Sequence, residues 1–121
     1  MQMWTEAKKF PDILAERREG ESVEIDFCPN QDLFQFQGHF PGQPIVPGVA
    51  QLDWAVQFAK TRFSTLVEVK EVSQLKFREL MQPGAAVTLK LDFNSEKNSI
   101  TFRYFQGETV YSSGIIKLGT P

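Results

Sequence analysis

One stretch limits the possible folds of this chain more than any other: residues 48–64 carry helical spacing and are apolar nearly all round. Val49, Leu52, Val56, Ala59 and Phe63 make one stripe, and Ala50, Trp54, Ala55 and Phe58 fill much of the remaining surface. A helix that is apolar on every side has to be buried. The rest of the chain must therefore cover it, and most of the rest reads as strand. Val23, Ile25 and Phe27 alternate with Glu24 and Asp26 up to a Pro29-Asn30 turn, and Leu33-Phe34-Gln35-Phe36-Gln37 follows. Residues 67–79 form a long strand candidate whose apolar members, Val67, Val69, Val72, Leu75 and Phe77, change parity after Val69, which predicts a bulge. Beyond a Pro83-Gly84 turn, Val87, Leu89, Leu91 and Phe93 alternate with Thr88, Lys90 and Asp92; two further strands, residues 100–105 and 110–118, are set off by turns at 94–98 and at Gly107. Residues 5–18 read as a short amphipathic helix interrupted near Pro11, with its charges on a solvated face. One long buried helix with successive hairpins is an α+β layout, predicted here as a single domain over residues 1–121.

A chain of 121 residues has one core's worth of material and leaves much surface open, so oligomerisation is favoured. Eleven phenylalanines are a high share and predict a core or tunnel with aromatic walls. The net charge of −2 offers no basic footprint for nucleic acid. Cys28 is alone, without a disulfide partner or metal-ligand spacing around it, and reads as a small buried hydrophobe. Charges throughout residues 1–20 leave no apolar core for a secretory signal, no run is long enough to span a membrane, and a cytoplasmic protein is expected. Dinucleotide fingerprints and phosphate loops are absent.

The helix is entered through Gly38-His39-Phe40-Pro41-Gly42-Gln43-Pro44-Ile45-Val46-Pro47-Gly48, whose prolines and glycines make a constrained loop that holds the chain's one histidine. Pro47 suits a first helical turn. Asp53, fourteen residues after His39, stands four from Val49 and three from Val56, so its carboxylate is expected to point into the apolar stripe. Burial there would raise its pKa toward that of a general acid, with Gln57 one turn on as hydrogen-bond partner. Taken singly, His39 reads as a turn residue and Asp53 as a carboxylate bonded to nearby backbone; taken together they are an acid/base pair.

These residues carry a resemblance. Gly38, His39, Phe40, Pro41, Pro44, Pro47, Gly48, Asp53 and Gln57 are similar to the active-site pattern of the (3R)-hydroxyacyl-acyl-carrier-protein dehydratases of the FabA/FabZ type. Leu75-Lys76-Phe77-Arg78-Glu79-Leu80-Met81-Gln82-Pro83-Gly84 resembles a second segment of that family, with Leu80 where the family has proline. The resemblance implies a hot-dog fold, an antiparallel sheet wrapped around one long central helix. It also implies dehydration of a 3-hydroxyacyl thioester without metal or organic cofactor: His39 as base at C2, Asp53 as acid at C3, and the Gly48 N–H stabilising the charge on the thioester oxygen. Substrate contacts would come from Gly48, Val49, Phe40, Gln57, Trp54 and Phe58. Trp54 and Phe58 have a second reading as plain core packing, which is the stronger of the two. A homodimer is implied, each site taking His from one subunit and the acid from the other. Asp rather than Glu at position 53 resembles the FabA branch, which leaves double-bond isomerisation open, and the text Pro47-Gly48-Val49-Ala50-Gln51-Leu52-Asp53-Trp54 is more similar still to the aryl-polyene type. The acidic carrier protein would dock on Lys60, Arg62, Lys76, Arg78 and Arg103 if these converge. A hot-dog thioesterase would have no need of the His39 loop, and a non-catalytic acyl-binding subunit would have lost one of the pair.

Overall fold

A computed structural model describes residues 10–29, 45–63 and 68–119. Within them lie β1 (Ile13–Glu19), β2 (Ser22–Phe27), α1 (Gly48–Arg62), β3 (Val69–Phe77), β4 (Val87–Asn94), β5 (Ser99–Gln106) and β6 (Thr109–Leu118). The six strands form one sheet in the order β1-β2-β4-β5-β6-β3, every pair antiparallel. Because side chains alternate along a strand, Val23, Ile25 and Phe27 share a face with Val87, Leu89, Leu91, Phe102 and Tyr104, all buried. The helix supplies Ala50, Trp54, Ala55, Phe58 and Ala59 to the same core. Trp54 is fully enclosed, edge-on to Phe27 with ring centroids 5.8 Å apart. Phe27 in turn meets Tyr104 edge-on at 6.0 Å, so the aromatic residues tie helix, β2 and β5 together.

The alternating strands stand where the periodicity put them, and so do the turns at Pro83-Gly84, after Asn94 and at Gly107. Register shifts between Val69 and Glu71 bear out the predicted bulge, and a second one lies between Ser73 and Lys76, where Gln74 takes φ 51°. The helix ends at Arg62, slightly short of expectation: Phe63 is extended and its N–H bonds the Ala59 carbonyl at 2.9 Å. Ser64, residues 33–37 and the motif loop up to Pro44 lie outside the described residues.

Residues 5–18 are the main correction. Residues 5–9 are outside the described residues, but Ile13–Glu19 is an edge strand rather than a helix. Gly20, at φ 60°, turns the chain back into β2. The charges are not merely solvated either. The Arg17 guanidinium donates to both Asp26 carboxylate oxygens at 2.8 and 2.9 Å and to Glu24 Oε1 at 3.1 Å across the strand pair. On the opposite side of β1, Glu16 accepts from Arg62 Nη2 at 2.7 Å, while Arg18 donates to the Arg62 carbonyl at 2.7 Å and lies over the Phe63 ring. The strand thus closes the C-terminal end of α1, where carbonyls lack intrahelical donors.

Hydrogen bonds from Arg62 hold the Glu16 carboxyl below its usual range, and those from Arg17, then Thr88, do the same for Asp26. A depressed carboxyl contributes stability above its unfolded pKa that is lost as the pH falls through the folded value. Arg17→Met is therefore expected to melt below the wild type at pH 7, with the gap closing below about pH 4 as the carboxylates protonate. The groups are partly exposed, so the gap is small and shrinks in salt. An equal gap at pH 3 and pH 7 would show that Arg17 acts through packing instead.

Candidate active site

Pro47 opens α1 with extended dihedrals (φ −61°, ψ 150°), and its carbonyl accepts from the N–H groups of Ala50 and Gln51. The N–H groups of Gly48 and Val49 belong to the first turn, where no intrahelical acceptor exists, at the positive end of the helix dipole. A Cβ on Gly48 would lie 2.7 Å from the ring of Phe77, so any larger residue here would have to push aside the tip of this exposed β3 side chain. Phe77 is missing from the sequence-derived site although its segment was singled out; the apposition depends on how β3 meets the helix.

Asp53 does not lie where its spacing suggested. The helix turns Ala50, Gln51, Trp54, Ala55, Phe58 and Ala59 toward the sheet, leaving Asp53 exposed and Val49 76% exposed on the open side. Burial of Asp53 within this chain is thereby corrected. A helix apolar all round gives no local signal of which face the sheet takes, and here the face with the large aromatics wins. Gln57, half-buried, reaches Asp53 Oδ1 with its Nε2 at 3.5 Å, a long contact. Trp54 and Phe58 are 0% and 8% exposed within this chain and pack in its core, which agrees with the second reading of the two as core residues. His39 and Phe40 lie outside the described residues. Cys28 is a half-buried free thiol.

Beneath Asp53 lies a polar cluster that sequence reasoning missed. Gln51 is 4% exposed; its Oε1 accepts from Ser112 Oγ at 2.6 Å, its Nε2 donates to the Val46 carbonyl at 3.1 Å, and its own carbonyl accepts from Tyr104 Oη at 2.6 Å. Burial, with the charge of Asp53 added, pushes the Tyr104 phenol well above its usual range, so it stays a neutral donor. The available signal was a glutamine within a helix apolar nearly all round.

Of the five cationic residues expected to converge, Arg78 and Arg103 do: with Glu79, Glu108, Thr109, Val110 and Ser113 they line a concavity of about 630 Å³. Lys76 pairs across β3 and β6 with Ser113, which also faces Arg103. Arg62 does not join them. It is engaged by Glu16 and stacked on Phe58 at the far end of α1, about 20 Å from the Gly48 end at the helical rise, with exposed Lys60 beside it. Among the described residues no three His, Cys, Asp or Glu side chains stand together as a metal site requires. No helix among them is long and apolar enough to cross a membrane.

The same architecture occurs in a chain of the dehydratase heterocomplex ApeI:P from Xenorhabdus doucetiae, with a TM-score of 0.86 and 32% identity over 92% of this chain and 99% of that one. An uncharacterized protein from Erwinia carotovora subsp. atroseptica matches at 0.72 and 37% identity, over 91% and 96% of the two chains. The dehydratase domain of PpsC from Mycobacterium tuberculosis, 16% identical, shares the fold alone, with a TM-score of 0.65 over 94% of this chain and 46% of that one. These neighbours define the class: a hot-dog fold of the dehydratase type. Residues 15–115 match the sequence model of the ApeI-like family, described as ApeI dehydratase, and the chain belongs to that family. Curated relatives include the 3-hydroxyacyl-[acyl-carrier-protein] dehydratase FabZ of Chlamydia trachomatis serovar L2, 34% identical over 91 residues, which are 65% of this chain and 60% of that protein. The FabZ of Novosphingobium aromaticivorans is 32% identical over 74 residues, 54% of this chain and 47% of that protein, so the chain spans about half the length of such relatives.

Proposed function

We propose that this protein removes water from 3-hydroxyacyl thioesters held on an acyl carrier protein, giving trans-2-enoyl thioesters, in a fatty-acid or polyketide-like pathway such as aryl polyene synthesis. The observation that carries the reading is the open face of the first turns of α1, which offers the Gly48 N–H and, on the same side as Val49, the Asp53 carboxyl. His39 takes a proton from C2; charge passes to the thioester oxygen, where the Gly48 N–H receives it. Asp53, directly or through a water, gives a proton to the C3 hydroxyl as the C3–O bond breaks. The double bond and water are the products, and the proton on His39 returns to Asp53 through solvent.

The exposure of Asp53 supports a homodimer, since a second subunit over this face would desolvate the carboxyl and bring the apolar surface of Val49, Leu75, Phe77 and Leu80 out of water. Edge strand β3, which carries Leu75 and Phe77, runs beside that face and, among the described residues, pairs with β6 alone, so its other edge can pair with a second chain. The Xenorhabdus relative belongs to a heterocomplex, which favours a second arrangement with a different dehydratase subunit in that place. Purified protein incubated with 3-hydroxyacyl carrier proteins of several chain types should yield products lighter by one water in mass spectrometry, and its native mass should be that of a dimer. Hydrolysis to the free acid would indicate a thioesterase. Activity only with a second dehydratase subunit added would indicate the heteromeric arrangement.

The carrier protein is proposed to dock at Arg78 and Arg103, which line one concavity on a chain of negative net charge; Glu79 and Glu108 line it too, so the two guanidinium groups act as individual contacts rather than as a uniformly basic surface. Reversing both to Glu is expected to lower kcat/KM for carrier-bound substrate by about tenfold, through slower association, and to spare a small thioester analogue. Added salt should reproduce that selectivity in the wild type, because exposed charges are screened beyond about 8 Å at physiological ionic strength. Equal loss on both substrates would place the arginines in folding or in the site.

A further inference from the structure

We propose that Gln51 is a positioning residue: by clamping the Val46 carbonyl it sets the first turn of α1 on the sheet and so aims the Gly48 N–H and the Asp53 carboxyl at the substrate. The inference rests on the dehydratase reading above.

An amide is costly to bury without partners, and a leucine at position 51 would suit the apolar surroundings of Ala50, Trp54, Ala55 and Phe58. Gln51 instead joins three parts of the chain. Tyr104 and Ser112 are opposite each other on β5 and β6, both wholly buried, and present two hydroxyls to this one residue. Ser112 bonds the side-chain oxygen at 2.6 Å and Tyr104 the main-chain carbonyl at 2.6 Å. Those two bonds alone would fasten the helix to the sheet. The third, from Nε2 to the Val46 carbonyl at 3.1 Å, runs back to the residue that precedes Pro47-Gly48. The Val46 N–H is tied as well, to the Met81 carbonyl at 2.7 Å. With both main-chain groups of Val46 held, and with φ of Pro47 locked by its ring, the Gly48 N–H has little freedom of direction. Asp53, two residues beyond Gln51, is carried by the same turn.

The test separates the two arms of the clamp. Gln51→Met keeps the volume and loses both side-chain bonds; Ser112→Ala loses the sheet arm and keeps the bond to Val46. Gln51→Met is expected to lower kcat on carrier-bound substrate by about 10- to 100-fold with KM within about threefold, whereas Ser112→Ala stays within about threefold in both. Both variants lower Tm, since each leaves a buried polar group unbonded. Gln51→Met/Ser112→Ala should regain part of the lost Tm, the orphaned hydroxyl being gone, with kcat still low. Recovery of kcat in step with Tm, or equal kcat losses in the two single variants, overturns the proposal and makes Gln51 a packing residue. Should Gln51→Met not fold, Gln51→Asn, an amide too short to reach Val46, is held to the same criteria. A wild type that dehydrates no 3-hydroxyacyl carrier protein would sink the dehydratase reading instead. The clamp is then judged by amide hydrogen exchange over residues 46–52, expected to be about tenfold faster in Gln51→Met and unchanged in Ser112→Ala; equal exchange in the two variants overturns it.

Discussion

Asp53→Asn protein is expected to lose about 10²–10⁴-fold of its dehydration turnover while melting at nearly the wild-type temperature, because the proposed proton donor is removed from an exposed position that holds little of the fold together. Gln57 reaches Asp53 only at 3.5 Å, and among the described residues no core side chain hydrogen-bonds the carboxylate. His39→Ala is expected to fall by a similar factor through loss of the proposed base. Unchanged turnover in either variant would rule out the proposed division of roles. The two inactive proteins also test where the second half of each site comes from. Mixed in equal amounts under subunit exchange, they should recover activity corresponding to about one quarter of the wild-type sites, since half of the dimers are mixed and each of those holds one intact site. Proven exchange without recovery would confine each site to a single chain.

Trp54→Ala should have the largest effect on stability, about 3–5 kcal/mol, the range for deleting a fully buried aromatic side chain. Trp54 is 0% exposed and stands edge-on to Phe27 at 5.8 Å, so truncation opens a cavity between α1 and β2 that the flanking aromatics cannot fill without moving. Urea unfolding followed by circular dichroism measures the loss, and Trp54→Phe should lose distinctly less. Stability unchanged in Trp54→Ala, with a shift toward bulkier acyl chains, would show instead that the indole lines an acyl tunnel.

Sequence alone determined those elements in which local pattern and burial agree. Strands β2 and β4 show strict alternation, as does the Ile100-Thr101-Phe102-Arg103-Tyr104 run of β5; one side of each meets the core, and the polar side chains between them define the other. The helix was legible because seventeen residues of apolar, helix-spaced text admit no exposed solution. The motif residues were legible as text, and Asp53 and Gln57 do stand one turn apart on α1. Tertiary structure decided what local pattern leaves free. Ile13-Leu14-Ala15-Glu16-Arg17-Arg18-Glu19 is built largely of good helix formers, yet it is a strand, because pairing with β2, with Arg17 on Asp26 and Arg18 on the end of α1, outweighs propensities that sum to little over seven residues. Which face of α1 the sheet takes was equally undetermined by spacing. It is set by the enclosed pairing of Trp54 with Phe27 and by the hydroxyls of Tyr104 and Ser112 meeting Gln51, and it turns Asp53 outward, against the expectation drawn from its neighbours. Arg78 and Arg103 come together, and Arg62 stays apart, because strand order brings distant residues side by side while one helix holds its two ends about 20 Å from each other. Period and propensity act over a few residues, whereas choice of face and convergence of charges depend on contacts between elements far apart in the chain.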